Sequence, residues 1–130
     1  MRLTFEREKK IICTLLKKLR VPDKEAGVTA EVLAEGDLRG LGSHGILRLP
    51  YILRALRRGT IVPDAEVKVV RQTSAAALLD GGHGLGHPVA VRAMRLAIEK
   101  AKEHGVGAVG VRNSNHFGIA GYYAQLAADE

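Results

Sequence analysis

The chain has 130 residues, of which 46% are hydrophobic, and a formal net charge of +6. This length is sufficient for one domain with a buried core. With three Tyr, two Phe and no Trp, the core must consist mainly of Leu, Ile, Val and Ala. The composition excludes a disordered chain, and a single cysteine, Cys13, excludes an internal disulfide.

The positive charges are spread over several predicted helices rather than clustered. Because few aromatic residues accompany them, the sequence argues against a nucleic-acid partner. The chain shows no leader pattern, and no apolar stretch approaches the roughly 20 residues that cross a bilayer. We therefore expect a soluble, cytoplasmic protein with no membrane partner, in which Cys13 is a buried, reduced thiol.

The first 60 residues show helical periodicity. Thr4 and Asp23 stand where the N-caps of two amphipathic helices are expected. Ser43 predicts the start of a third helix that runs to about Arg58, and Pro50 inside it either kinks the helix or divides it. These patterns predict a helical N-terminal lobe over residues 1–60.

Residues 61–130 alternate between strand and helix patterns. Residues 67–69 and 75–79 predict a β-hairpin. A glycine-rich loop follows, then a helix that opens at His87 and ends at Gly105. A short buried strand is predicted near residues 108–111, and a last helical pattern is still running at Glu130. The sequence thus predicts an α/β fold, with residues 61–130 forming the first and incomplete part of an α/β domain.

The glycine-rich loop, residues 81–86, lies where a dinucleotide fingerprint would be expected. Its spacing lacks the third glycine of that motif, so a structural glycine turn is favoured over a Rossmann site. His83 and His87 straddle glycines and have no Cys or carboxylate partners in the pattern. A metal site is therefore not predicted.

Two polar segments are the candidate site. Asn115 and His116 lie in a polar cluster at the end of the strand near residues 108–111, where α/β sheets place ligands. On the predicted third helix, one face could carry His44, Arg48 and Tyr51. His44 could transfer a proton and Arg48 could bind a carboxylate. The alternative is that Ser43 is only an N-cap and Arg48 only a surface charge.

Four segments carry a resemblance to a known family: AEGDLRG (34–40), SHGILRLPY (43–51), GLG (84–86) and VRNSNHFGIAGYYA (111–124). Together they resemble the malate/L-lactate dehydrogenase family of NAD(P)-dependent oxidoreductases, which has a non-Rossmann fold. The resemblance implies hydride transfer between NAD or NADP and a small 2-hydroxy acid or 2-keto acid, and a homodimer.

The resemblance also implies roles for individual residues. His116 and His44 would be catalytic, with His44 also a candidate cofactor contact. Arg48 would hold the substrate carboxylate, with Ser43 and Asn115 as further substrate contacts. The candidate cofactor-binding segment consists of Gly118, Ile119, Ala120 and Gly121. The alternative is a truncated, catalytically inactive chain that acts at most as a binding or dimerising module.

Overall fold

The computed structural model describes residues 3–130. Within them, three helices precede a hairpin and an alternation of helix and strand. The elements are α1 (Phe5–Lys17), α2 (Asp23–Leu38), α3 (Leu49–Arg57), β1 (Lys68–Gln72), β2 (Ala76–Asp80), α4 (Gly86–His104), β3 (Ala108–Arg112) and α5 (Ala120–Ala128). The predicted α/β class, with its helical part first, is confirmed. No helix in this part of the chain is long and apolar enough to cross a membrane.

The helical part packs around an apolar core. Helices α1 and α2 lie against each other, and α2 also contacts α4. Ile12, Leu16 and Leu33 are fully buried there, together with Ile61 from the segment that follows α3. Cys13 is a free thiol that is only partly buried against this core, whereas the sequence predicted a buried thiol.

The first two helix starts were predicted with unequal success. Thr4 is the N-cap of α1, and its hydroxyl accepts the N–H of Arg7. For α2 the prediction was wrong by one residue, because Pro22 is the N-cap and Asp23 is the first helical residue. The Asp23 carboxylate instead bonds Lys17, and an acidic side chain is still favourable in a first helical turn.

The predicted third helix starting at Ser43 was wrong. Residues Gly42–His44 and Ile46–Arg48 form two short 3₁₀ turns, and α3 begins at Leu49. The Ile46 N–H donates to the Asp37 carboxylate instead of continuing a helix. Pro50 falls in the first turn of α3, where its missing N–H costs nothing.

The sheet has the order β1-β2-β3. Strands β1 and β2 form the predicted antiparallel hairpin, and β2 and β3 run parallel, with Ala76 opposite Ala108 and Asp80 opposite Arg112. Helix α4 makes the crossover between these two strands and ends at Gly105, which has a φ of 80°. The carboxyl ends of β2 and β3 therefore meet at one edge of the sheet.

Strand β3 was predicted to be buried, and this was wrong. Most of its residues are exposed, including Val111. In the part of the chain that the structure describes, β3 pairs only with β2 and packs against α4, so its other edge has no neighbour.

Candidate active site

Asp80 joins the two strand ends that carry the site. One oxygen of its carboxylate accepts a hydrogen bond from the Gly82 N–H at 2.9 Å. The other oxygen accepts hydrogen bonds from Nε of Arg112 and Nδ2 of Asn113, both at 2.9 Å. The Gly82 bond, followed by the Arg112 side chain, lowers the pKa of this carboxyl. The loop after β2 and the loop after β3 are thereby fixed to each other.

Asn115 reinforces the same junction. Its Nδ2 donates to the carbonyl oxygens of His83 (3.1 Å) and Gly84 (2.8 Å). Gly86, the first residue of α4, lies so close to the next segment that a Cβ would overlap the carbonyl oxygens of Asn115 and His116. The glycine-rich loop thus serves close packing, as the structural alternative predicted, and both donor contacts of Asn115 are made to it.

His116 lies between two other histidines. Its ring centroid is 5.4 Å from that of His44 and 6.2 Å from that of His87. The Gly118 N–H donates to Nδ1 of His116 at 3.2 Å. Since Nδ1 is an acceptor in this bond, the neutral ring carries its proton at Nε2.

The surroundings of the His116 ring act on its protonation. Partial burial is the main cause that lowers its pKa, and the charges of Arg48 and His44 lower it further. Protonation would also turn Nδ1 into a donor and remove the bond from Gly118. Burial and the neighbouring charges thus favour the neutral form of the His116 imidazole.

The segment with the two 3₁₀ turns brings His44 and Arg48 to the same place. Ser43 Oγ lies 2.9 Å from Nδ1 of His44, and Arg48 Nε donates to the Ser43 carbonyl oxygen at 2.8 Å. Ser43 does not cap a helix, so the part of the alternative that made it an N-cap was wrong. The prediction that His44, Arg48 and Tyr51 share one helical face was also wrong. Of the three, only Tyr51 belongs to α3, and its side chain is exposed there.

The sequence analysis missed the third histidine as part of this cluster. His87 is fully buried, and neither ring nitrogen has a hydrogen-bond partner among residues 3–130. Burial, followed by the charge of His116, lowers its pKa to about 3. Its place at the start of a helix was the only signal in the sequence. No group of three or more potential ligand side chains in the described residues could hold a metal ion.

The proposed cofactor segment divides into two parts. Gly118 has a φ of 82°, and a Cβ there would lie 2.7 Å from Val32 Cγ1, while Ile119 is buried. Ala120 and Gly121 are exposed at the start of α5, whose N-cap contributes no side-chain hydrogen bond. Arg39 Nη1 would lie 3.6 Å from a Cβ on Gly121. The exposed part therefore presents helix N–H groups and a guanidinium side by side.

An α/β fold that gathers histidines and an arginine at the carboxyl ends of parallel strands is typical of an enzyme active site. Residues 3–130 match the family model described as malate/L-lactate dehydrogenase. The chain belongs to that family.

Named relatives agree with this assignment. L-sulfolactate dehydrogenase from Methanocaldococcus jannaschii is 50% identical over 130 residues, which are 100% of this chain and 38% of that protein. Malate dehydrogenase from Pyrococcus abyssi is 46% identical over 92% of this chain and 33% of its own length. The solved structure of the Methanocaldococcus jannaschii sulfolactate dehydrogenase superposes with a TM-score of 0.98, covering 99% of this chain and 38% of that one. The chain thus spans well under half the length of these relatives.

Proposed function

We propose that this chain carries the proton-transfer and carboxylate-binding residues of an oxidoreductase that moves a hydride between NAD or NADP and a 2-hydroxy acid or 2-keto acid. The observation that carries the proposal is the cluster of His116, His44 and Arg48, built from two separate segments of the chain. Relatives named for malate and sulfolactate favour substrates with a carboxylate next to the reacting carbon.

Arg48 would bind that carboxylate. Its Nε is bonded to Ser43, which fixes the plane of the guanidinium. The remaining N–H groups form a fork that matches two carboxylate oxygens. Ser43 would then lie beside the bound substrate, whereas Asn115 would act by holding the loop.

The two histidines would have different roles at the substrate oxygen. His116, neutral and bonded at Nδ1, would donate its Nε2 hydrogen to that oxygen and polarise the carbon–oxygen bond. His44 would take the hydroxyl proton during oxidation and return it during reduction. Ser43 would orient the His44 ring through Nδ1.

The start of α5 fits an anionic part of a nicotinamide cofactor. Ala120 and Gly121 offer first-turn N–H groups, and Arg39, whose Nε donates to Glu35, adds its remaining guanidinium N–H groups beside them. When bound, the cofactor accepts or supplies the hydride. This chain's own contribution would be to orient the cofactor phosphates at α5 and the substrate at His116.

The alternative remains a binding or dimerising module without catalysis. It is based on exposed apolar side chains in β3 and in the loops on either side of it, namely Val106, Val111 and Phe117. The dehydrogenase proposal, by contrast, includes a homodimer in the cytoplasm, in agreement with one free thiol.

A titration of NADH and NADPH into the purified natural full-length protein tests the proposal, with the mass in solution measured on the same sample. Saturable binding that Arg39→Ala weakens supports the dehydrogenase. The exposed Arg54 on α3 offers a matched control, and Arg54→Ala should bind as the parent does. A self-associating protein that binds neither nucleotide would support the module instead.

A further inference from the structure

A pair of carboxyl groups lies behind the segment that carries His44 and Arg48. Asp37 comes from the last turn of α2, and Glu8 comes from α1. Neither belongs to the cluster described above. Glu8 is buried at this junction.

Asp37 fills the break between the two 3₁₀ turns. Within those turns the hydrogen bonds are between backbone groups: the His44 N–H donates to the Leu41 carbonyl oxygen, and the Arg48 N–H donates to the Gly45 carbonyl oxygen. The Ile46 N–H instead donates to Oδ2 of Asp37 at 2.5 Å. This bond lies two residues after His44 and two residues before Arg48, so it fixes the backbone midway between them.

Glycines let the segment approach α2 closely. A Cβ on Gly45 would overlap the Asp37 carboxylate, and a Cβ on Gly36 would lie 3.0 Å from the carbonyl oxygen of His44. The backbone of residues 44–46 is therefore seated directly on the end of α2. A shift of the Asp37 side chain would have to move this backbone.

Glu8 faces Asp37 from the α1 side. It is buried, its Oε1 has no hydrogen-bond partner among residues 3–130, and the Asp37 carboxyl is its acidic neighbour. Lys9, next in the sequence, pairs with Glu6 and Glu31 rather than with either member of the pair. Burial, followed by the neighbouring Asp37 carboxyl, raises the pKa of Glu8 to about 7.

We propose that Asp37 is a positioning residue: its carboxylate fixes the Gly45–Ile46 backbone, so that His44 and Arg48 stay aligned with His116. The proposal rests on the proposed dehydrogenase function for its effect on turnover. The claim that Asp37 fixes the backbone does not depend on catalysis.

The test compares Asp37→Ala, Asp37→Asn, Glu8→Gln and the control Asp64→Asn in the natural full-length protein. Asp64 is an exposed carboxylate in the segment that precedes β1. Amide NMR spectra report the Ile46 N–H and the backbone of His44, and steady-state kinetics report kcat and KM for a 2-keto acid. Asparagine keeps an oxygen acceptor for Ile46.

We expect Asp37→Ala to move the Ile46 and His44 amide signals and to lower kcat by about tenfold or more, since small misplacements of catalytic groups are costly. Asp37→Asn should recover most of that loss, and Glu8→Gln and Asp64→Asn should stay within about threefold of the parent. Unchanged Ile46 and His44 signals in a folded Asp37→Ala protein would overturn the proposal. So would an asparagine variant as impaired as alanine.

The NMR arm separates this proposal from the proposed function. A parent protein without turnover would count against the proposed dehydrogenase function. The Ile46 and His44 amide signals of Asp37→Ala would still test whether Asp37 fixes this backbone. If Asp37→Ala does not fold, Asp37→Asn decides. Its amide oxygen can still accept the Ile46 N–H, so it should keep the parent's His44 signals, and a displaced His44 in this variant would contradict the proposal.

Discussion

At the scale of single residues, three side chains from distant parts of the sequence acquire properties that none has alone. The neutral form of the His116 ring is favoured because it is partly buried and faces Arg48 and His44. Arg48 is held by a backbone carbonyl, so its guanidinium is oriented before any substrate arrives. Preorganised donors of this kind contribute most to catalysis when charge develops on the substrate.

Arg48→Lys tests the carboxylate contact. A lysine keeps the charge but loses the fork and the bond to Ser43, so KM for a 2-keto acid should rise about tenfold or more. Steady-state kinetics on the natural full-length protein measure this change. The matched control is Arg54→Lys on the exposed surface of α3, and equal KM values in the two variants would rule the contact out.

A pH titration tests the state of His116. The pKa of His116 lies below the ordinary value of 6.5. The ring therefore gains its proton at a lower pH than an ordinary histidine does. An NMR pH titration of the His116 ring in the natural full-length protein should have its midpoint below pH 6.5. A midpoint at or above that value would show that the fold does not shield His116.

At the scale of elements, glycines set how closely the site segments pack. Gly86→Ala should destabilise the protein and lower activity, because the added methyl group overlaps the carbonyl oxygens of Asn115 and His116. Gly27→Ala in α2 is the matched control. It has no atom within 4 Å of the added Cβ, so we expect a gain of up to about 1 kcal/mol in the free energy of unfolding. Chemical denaturation measures both, and equal effects would contradict the packing argument.

Local patterns predicted the elements well where local chemistry decides them. The hairpin follows from alternation and its polar turn, and Gly105 ends α4 in the left-handed conformation that glycine favours. The start of α3 was missed because it depends on Asp37, which takes the Ile46 N–H from outside the local segment. The sequence indicated His44, Arg48 and His116 as candidates, but the burial of His87 arises only from packing that no local pattern encodes.

At the scale of the whole molecule, buried titratable groups link stability to pH in opposite directions. Glu8 has a pKa of about 7 in the folded chain against an ordinary value of 4.5. Between these values the folded state holds a proton that the unfolded state has released, so this contribution is complete below pH 4.5 and is lost as the pH rises through about 7. His87, with its pKa lowered to about 3, acts in the other direction, since stability rises with pH up to its ordinary value of 6.5.

The difference between the parent and Glu8→Gln isolates the Glu8 contribution. The parent should lose stability relative to the variant as the pH rises from 4.5 to about 7. Thermal unfolding over that range measures the difference at each pH. Parallel curves for the two proteins would mean that Glu8 titrates near its ordinary value in the fold.

The account depends most on the claim that His116 and His44 act on a substrate oxygen during hydride transfer. Its most direct test is 2-keto-acid-dependent oxidation of NADH and NADPH by the natural full-length protein and by His116→Ala, His44→Ala and His104→Ala, with oxaloacetate, sulfopyruvate and pyruvate as substrates. His104 is an exposed histidine at the end of α4. We predict turnover in the parent and in His104→Ala, and a loss of about 10²-fold or more in each of the other two. No turnover by the parent with any of these substrates, or His116→Ala within a few-fold of the parent, would contradict the account.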